Sequence, residues 1–511
     1  MFKFDTLATM FFGESIGKIA AAPCAGAPIP WSSARIILPA SFDACWKQAG
    51  RLHDAPRLGA RLHWITWASN TTMSSSLSYA GWEPSEHDAN VPRESASISA
   101  QDMWEKYIQK RKPAAFDGLL DDDTWHGERF ADLDYLRQQA GQAQVKVEPI
   151  NTTKQMFGTA EKREAMTFAQ FLDVVQDKRQ GGKYYLTTQY EQEEEQDEDD
   201  DWPVLDPILP SPVHLLQKDF PLHPRILGNL VLQQCNLWVG GTQEPKSSGL
   251  HHDFHDNLYL LLSGYKRFIL FPPTAYPYLR LRGHVEHLHK NGLLVYEPDN
   301  RIRADGLDEI DAAHWRVASR SHQNRKKRRN HTQHDVHGSY EEAKQALQEI
   351  RAKYDPEEDE DDDEEESDDE EEGEVPQDPE SDDDAWEQDE DEYEQLFESD
   401  EPPSFSYIAP SVLHEHFRIP SPIPAPKDVD KTMIPLQGCP KPLVVDLKPG
   451  QMLYVPASWF HEVTSYGSHG SPHIAFNYWM HPPDGQEAKE PYVDTEVWNT
   501  IRNRVILHNH N

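Results

Sequence analysis

The chain has 511 residues, 37% of them apolar, and a formal net charge of −39. That length is ample for a sizeable core, and its four scattered cysteines (Cys24, Cys45, Cys235, Cys439) include no CxxC pair, which argues against a disulfide scaffold or a zinc ribbon and fits a reducing compartment. The acidity is confined to two stretches without Lys or Arg, nine acidic side chains in 191–201 and thirty-one in 355–401, so the foldable remainder is close to neutral.

Residues 1–95 mix Pro, Gly, Ser and Ala with isolated Trp and Leu and read as an N-terminal extension without visible chemistry. Glu14 and Lys18 interrupt its apolar start, so neither a signal peptide nor a membrane span is expected, and a soluble nuclear or cytoplasmic protein is the default. From 96 the texture changes. "SAQDMWEKYIQ" has helical spacing with Ser99 as cap, "PAAFDGLL" reads as a buried strand, and "FADLDYLRQQAG" reads as a helix stopped at Gly141. "QVKVEPI" alternates like a strand, "TFAQFLDVVQDKR" reads as a helix, and "KYYLTTQY" as a strand before the acidic loop 191–201.

From 230 the pattern is β-rich. "LVLQQCNLWVG" leads into "SSGLHHDFHDNLY", after which "NLYLLL" and "KRFILF" predict a hairpin stopped at Pro272-Pro273. Residues 281–435 interrupt this pattern. They contain "HVEHLH" (284–289), the basic cluster "RKKRR" (325–329), a helix "SYEEAKQALQEIRAKY" with Ser339 and Glu342 as a capping box, and the main acidic tract. Strands resume over 436–485 with "PLVVDL", "QMLYVP", "FHEVTS" and "HIAFNYW", and 486–511 form a tail with one short helix. Short strands at this spacing predict a sandwich or barrel split by an insert.

The cluster His251, His252, Asp253, His255, Asp256 puts five ligand-capable side chains into six positions. On a strand, residues i and i+2 share a face, so His251 and Asp253 converge while His252 turns away. A His-x-Asp pair alone is weak, and His461 on the predicted strand "FHEVTS" supplies a third ligand. Two histidines and a carboxylate leave adjacent positions open on a six-coordinate Fe(II), unlike a closed structural zinc site. His252, His255 and Asp256 then read as neighbours of the site or as surface residues.

These motifs in this order resemble the JmjC-domain, cupin-like Fe(II)/2-oxoglutarate oxygenases, in particular the small JmjC-only protein hydroxylases; the similarity spans about 100–275 and 435–485. The resemblance implies a mainly β fold with flanking helices, a double-stranded β-helix (jelly-roll or cupin) core interrupted by a long acidic disordered insert. It assigns Fe(II) to His251, Asp253 and His461. It places 2-oxoglutarate against Lys266, with Ser248, Tyr185 (or the adjacent Tyr184), Asn257 and Asn477 around it, and Trp479 as pocket wall or core. The implied reaction consumes O2, hydroxylates a protein side chain and yields succinate and CO2. A buried lysine in "GYKRFILF" also calls for an anionic partner on its own account.

The separation of Asp253 and His461, 208 residues, exceeds the family's usual spacing but does not forbid a shared site, since loop closure entropy grows slowly with length. The competing readings are a JmjC histone lysine demethylase and a catalytically silent cupin-fold protein that binds basic partners. The acidic tracts suit basic proteins, histones included, or simply keep loops solvated, while the basic cluster reads as an import signal, a nucleic-acid contact or a partner of its acidic neighbour; of these, direct nucleic-acid binding is the least expected. No CxxC…CxxC reader module accompanies the catalytic region, which favours hydroxylation over demethylation. The protein substrate and the oligomeric state are left open by the sequence.

Overall fold

The computed structural model describes residues 79–508 apart from 152–155, 160, 190–207, 299, 330–336, 355–401, 422, 424–435 and 469. The extension up to residue 78, both acidic tracts and the side chains of the 325–329 basic cluster lie outside the described residues.

The N-terminal part of the fold is built from short, well-capped elements. Strand β1 (Arg93–Ser95) precedes helix α1 (Ala100–Met103), where Ser99 accepts from the Asp102 amide at 3.0 Å; the helix widens into a π-helical turn over Trp104–Ile108. Then come β2 (Ala114–Asp117), α2 (Leu133–Ala140, capped by Asp132), β3 (Gln144–Pro149) and β4 (Glu164–Thr167). Helix α3 (Phe168–Gln176) opens on a Thr167/Gln170 capping box and is followed by β5 (Tyr184–Leu186). Residues 79–95, grouped with the extension on sequence grounds, join the core. Val91 is buried, Trp82 stacks on Trp459 at 6.1 Å, and β1 runs parallel to β2.

Eight strands then make the centre: β6 (Leu232–Gly240), β7 (Lys246–His251), β8 (Asp256–Ser263) and β9 (Tyr265–Phe271) before the interruption. Two strands of the interruption, β10 (Val285–Leu288) and β11 (Leu294–Tyr296), pair with each other. After it come β12 (Leu443–Leu447), β13 (Gln451–Val455), β14 (Phe460–Tyr466) and β15 (His473–Met480). One sheet has the order β1-β2-β13-β8-β15-β6-β5-β3-β4 and faces a second of order β12-β9-β14-β7. The chain passes between the sheets at nearly every step, which makes the core a double-stranded β-helix, mainly β with helices at its flanks.

This topology corrects the predicted hairpin. β8 pairs with β13 and β15 while β9 pairs with β12 and β14, so the turn at Gly264 (φ +79°) carries the chain across the sandwich. Both faces of each strand are buried, which explains the unbroken apolar runs. Tyr259 and Leu261 point between the sheets with Phe268 and Leu270, whereas Leu258, Leu260 and Leu262 pack under the helices. Ile269 and Phe271 face the opposite outer layer with Leu413.

The interval 281–435 contributes further folded elements. Helices α4 (Glu309–Arg329) and α5 (His337–Tyr354) pack together, and α4 also packs on the C-terminal helix α7 (Thr495–His508). Arg320 forks onto Glu496 at 3.1 and 3.2 Å, and Arg316 reaches Asp494. Because α5 begins at His337, Ser339 lies within its first turn and is not the predicted cap. Residues 402–421, with helix α6 (Pro410–Phe417), run beside β7, where the Ser406 amide donates to the Leu250 carbonyl at 2.9 Å. Among the described residues, no helix is long and apolar enough to cross a membrane.

Candidate metal centre

β14 lies antiparallel to β7 in a register that sets His461 directly opposite His251, and this pairing closes the 208-residue gap. β7 ends at His251, so Asp253 is not the strand neighbour the alternation rule assumed. It sits in the turn before β8, where its carbonyl accepts from the Ser458 amide at 2.8 Å. Asp253 Oδ2 lies 3.6 Å from His461 Nε2, the two imidazole centroids are 4.4 Å apart, and one ligand atom from each of the three residues lies within 4.8 Å of the others. Among the described residues no other group of three His, Cys, Asp or Glu is so placed.

The tautomers follow from the partners. His251 Nδ1 faces the Gly249 carbonyl at 3.1 Å and His461 Nδ1 faces the Trp459 carbonyl at 3.0 Å. A carbonyl only accepts, so each Nδ1 carries the proton and each Nε2 offers a lone pair. Burial, followed by the neighbouring His461, lowers the His251 pKa to about 4, so the ring is neutral at pH 7. Phe405, from the segment beyond the acidic tract, stacks on His251 at 4.6 Å and 11°.

A β-bulge sets which residues of β7 reach the cavity beside His251. The register with β14 slips between Glu462 and Thr464, at Gly249 with φ +75°. Ser248 therefore shares the cavity with His251 although three positions separate them. Ser247, also at the cavity lining, donates its hydroxyl to Glu462, which His414 of α6 also holds at 3.1 Å.

The cavity measures about 590 Å³ counted out to its open mouth; it is lined by the three metal candidates together with Lys266, Tyr185, Ser248, Asn257 and others. Lys266 is 2% exposed and donates to Tyr185 Oη at 2.9 Å; among the described residues no carboxylate pairs with it. Burial lowers its pKa to about 7. Of the two candidate tyrosines, Tyr185 lines the cavity, whereas Tyr184 turns away to Glu164 at 3.0 Å. Ser248 Oγ accepts from the Val463 amide at 3.3 Å. Asn477 lies behind Asn257, donating to its Oδ1 at 3.0 Å and accepting from Trp238 Nε1 at 2.8 Å. Trp479 packs on His255, outside the cavity lining.

Of the other members of the cluster, His252 and Asp256 are buried and His255 is half-buried. His252 is buried against Tyr296, with its Nε2 2.7 Å from the phenol oxygen, and His255 packs against the rings of Trp479 and His481. Asp256, fully buried, accepts two bonds from Arg111 at 2.8 and 2.5 Å, one from Tyr454 at 2.6 Å and one from the Ala457 amide at 2.9 Å. His252 and Asp256 are therefore not surface residues. In "HVEHLH", His284 pairs with Glu297 at 3.0 Å and His289 Nε2 bonds the Ile302 carbonyl at 2.9 Å. The sequence reading did not single out Phe405, Tyr259 or His473. Alternation from Asn477 along β15 puts His473 on the same inward face and could have found it.

Two imidazole lone pairs and a carboxylate within reach of one point suit Fe(II) with coordination positions to spare. A buried lysine without a protein carboxylate suits a small anionic co-substrate beside it. A "Cupin-like domain" family matches residues 100–486. The chain is 37% identical over 461 residues to JmjC domain-containing protein 4 of Schizosaccharomyces pombe, covering 85% of this chain and 93% of that one. It is 24% identical over 199 residues to JmjC domain-containing protein E of Dictyostelium discoideum, covering 35% and 52%.

Proposed function

Since the chain belongs to the cupin-like JmjC-domain family, whose members are Fe(II)- and 2-oxoglutarate-dependent oxygenases, we propose that it hydroxylates a protein side chain. The observation that carries this reading is one cavity that combines the His251/Asp253/His461 set with Lys266, a buried cation lacking a protein carboxylate among the described residues. Bound there, Fe(II) and 2-oxoglutarate supply the oxidising chemistry, with O2 consumed and succinate and CO2 released.

The chain's own part is positional. His251 and His461 present Nε2 because backbone carbonyls hold their Nδ1 protons, and Asp253 is aimed by the bond to Ser458. Lys266 and Tyr185 offer an ammonium and a phenol to the distal carboxylate, and Ser248 and Asn257 supply shorter polar groups on the cavity wall. The aromatic rings of Phe157, Trp238 and Phe268 keep this space poor in water, which strengthens each polar contact. Near the metal residues, Phe254 is 38% exposed beside Asp253, and Tyr407, 59% exposed, lies under the Arg282 guanidinium at 4.3 Å. Exposed rings of this kind suit docking of a polypeptide.

Lys266 yields a pH prediction. With its pKa near 7 in the free protein, the amine is mostly neutral at pH 8, whereas a bound carboxylate favours the ammonium and raises that pKa. Binding of 2-oxoglutarate above pH 7 is therefore expected to take up a proton, and affinity to fall about tenfold per pH unit. Calorimetry of the Mn(II)-loaded protein at pH 8 in buffers of different ionisation enthalpy measures this; zero proton uptake contradicts it.

The substrate is tested on peptide arrays incubated with the Fe(II)-loaded enzyme and 2-oxoglutarate, read by mass spectrometry. A gain of one oxygen on an unmethylated side chain is the expected product. Loss of a methyl group from methyl-lysine peptides alone would replace this reading with demethylation.

A further inference from the structure

Apart from the residues already assigned, the cavity holds a buried imidazole whose hydrogen-bonding capacity is left unused among the described residues. His473, 1% exposed, lines the cavity at the start of β15, and neither ring nitrogen has a hydrogen-bond partner among the described residues. Burying an imidazole this way is costly unless something bonds to it. Its position is defined by three neighbouring strands. His473 is paired with Gly240 of β6, and Gly240 is paired with Tyr185 of β5, whose ring centroid lies 5.3 Å from that of His473. The imidazole needs glycine opposite it, because a Cβ on Gly240 would come within 2.3 Å of Nε2.

Lys266 belongs to the same group. Its ammonium bonds Tyr185 Oη at 2.9 Å and lies 5.9 Å from the centre of the Tyr259 ring, whose own hydroxyl is also buried without a partner among the described residues. Burial and the nearby Lys266 charge keep His473 neutral, so it has one N–H to give and one lone pair. A lysine, a phenol bonded to it and an unpaired imidazole in one enclosed corner form a cradle of donors for an anion.

We propose that His473 is a specificity-determining residue for the co-substrate, its N–H donated to the distal carboxylate that Lys266 neutralises, so that the cavity selects a dicarboxylate 2-oxo acid over one ending in an uncharged group. This rests on the 2-oxoglutarate reading and adds a residue to it. The register makes the corner a separate subsite from the metal end. Lys266 is paired with Ser465 on β14, four residues beyond His461, or about 13 Å along the strand.

The test compares two metal chelators on the Mn(II)-loaded full-length protein. Pyridine-2,4-dicarboxylate carries a second carboxylate for this corner, while pyridine-2-carboxylate does not. Titration calorimetry of wild type, His473→Phe and His473→Gln with both, and with 2-oxoglutarate, reads out binding without turnover. His473→Phe is expected to weaken 2-oxoglutarate and the dicarboxylate about tenfold or more, with pyridine-2-carboxylate unchanged. His473→Gln, which restores an N–H donor, is expected to recover part of the loss. Unchanged pyridine-2-carboxylate affinity also shows that each variant is folded and holds metal.

Equal weakening of both chelators, or no change in either, overturns the assignment and leaves His473 as a residue bonded to water. In that case wild-type affinity for 2-oxoglutarate keeps the proposed function intact. A wild-type protein that binds pyridine-2-carboxylate but neither dicarboxylate overturns both.

Discussion

Asp256→Asn is expected to lower the unfolding free energy by about 3–5 kcal/mol, the cost of breaking a buried ion pair from one side. Asp256 and Arg111 are 0% and 3% exposed, and the carboxylate accepts four bonds, two of them from the guanidinium fork. An amide there loses the charge and turns one acceptor into a donor facing other donors, which strands Arg111 in the interior. The consequence extends to the metal centre. Asp256 opens β8 three residues after Asp253, and its bond to the Ala457 amide fixes the connection that leads into β14 and His461. Chemical denaturation of the metal-free protein measures the loss, and a shift below about 1 kcal/mol would contradict it. The double replacement Arg111→Met, Asp256→Leu is expected to recover much of the stability, since an apolar pair leaves no charge unpaired.

The second large effect falls on the metal. His251→Ala removes one of the three candidate metal ligands and the surface on which Phe405 stacks, so it is expected to abolish iron retention and 2-oxoglutarate turnover. His252→Phe is the informative contrast. His252 is the immediate neighbour and is buried, but its Nε2 is committed to Tyr296 and its ring packs on Phe460, so metal binding should survive the change. Iron content after dialysis distinguishes the two. Loss of metal in His252→Phe but not in His251→Ala would reverse the assignment of the cluster.

How far the sequence was readable depends on the range of the interaction that decides each feature. The strand content of "NLYLLL", "KRFILF" and "FHEVTS" was legible because alternating or continuous apolar runs are local signals. Which sheet each strand enters was not. β8 and β9 have the spacing of a hairpin, yet a crossing at Gly264 separates them, and nothing local distinguishes that turn from a tight one. His251 was placed by its neighbours in sequence, but its approach to Ser248 depends on a bulge that only the β7–β14 register reveals. Asp253 joins the cluster from a turn and not from the strand that the alternation rule supposes, so its selection rested on the wrong geometry. Helix α4 went unread because its many charged and polar side chains mask the few residues, such as Trp315, that it buries. His473 was legible in principle, four residues before Asn477 on an alternating strand, but a lone histidine in a core strand carries no local mark of an unmet hydrogen bond.

In the proposed function, His251, Asp253 and His461 hold an iron that turns over 2-oxoglutarate. The measurement is succinate formed by the purified full-length protein with Fe(II), O2, ascorbate and 2-oxoglutarate, run beside His461→Ala and an iron-free control. The expected result is iron-dependent succinate in the wild type, at a low rate without protein substrate, and none in the variant. Wild-type protein that binds Fe(II) yet forms no succinate above the iron-free control, and shows no 2-oxoglutarate binding by calorimetry, would contradict it.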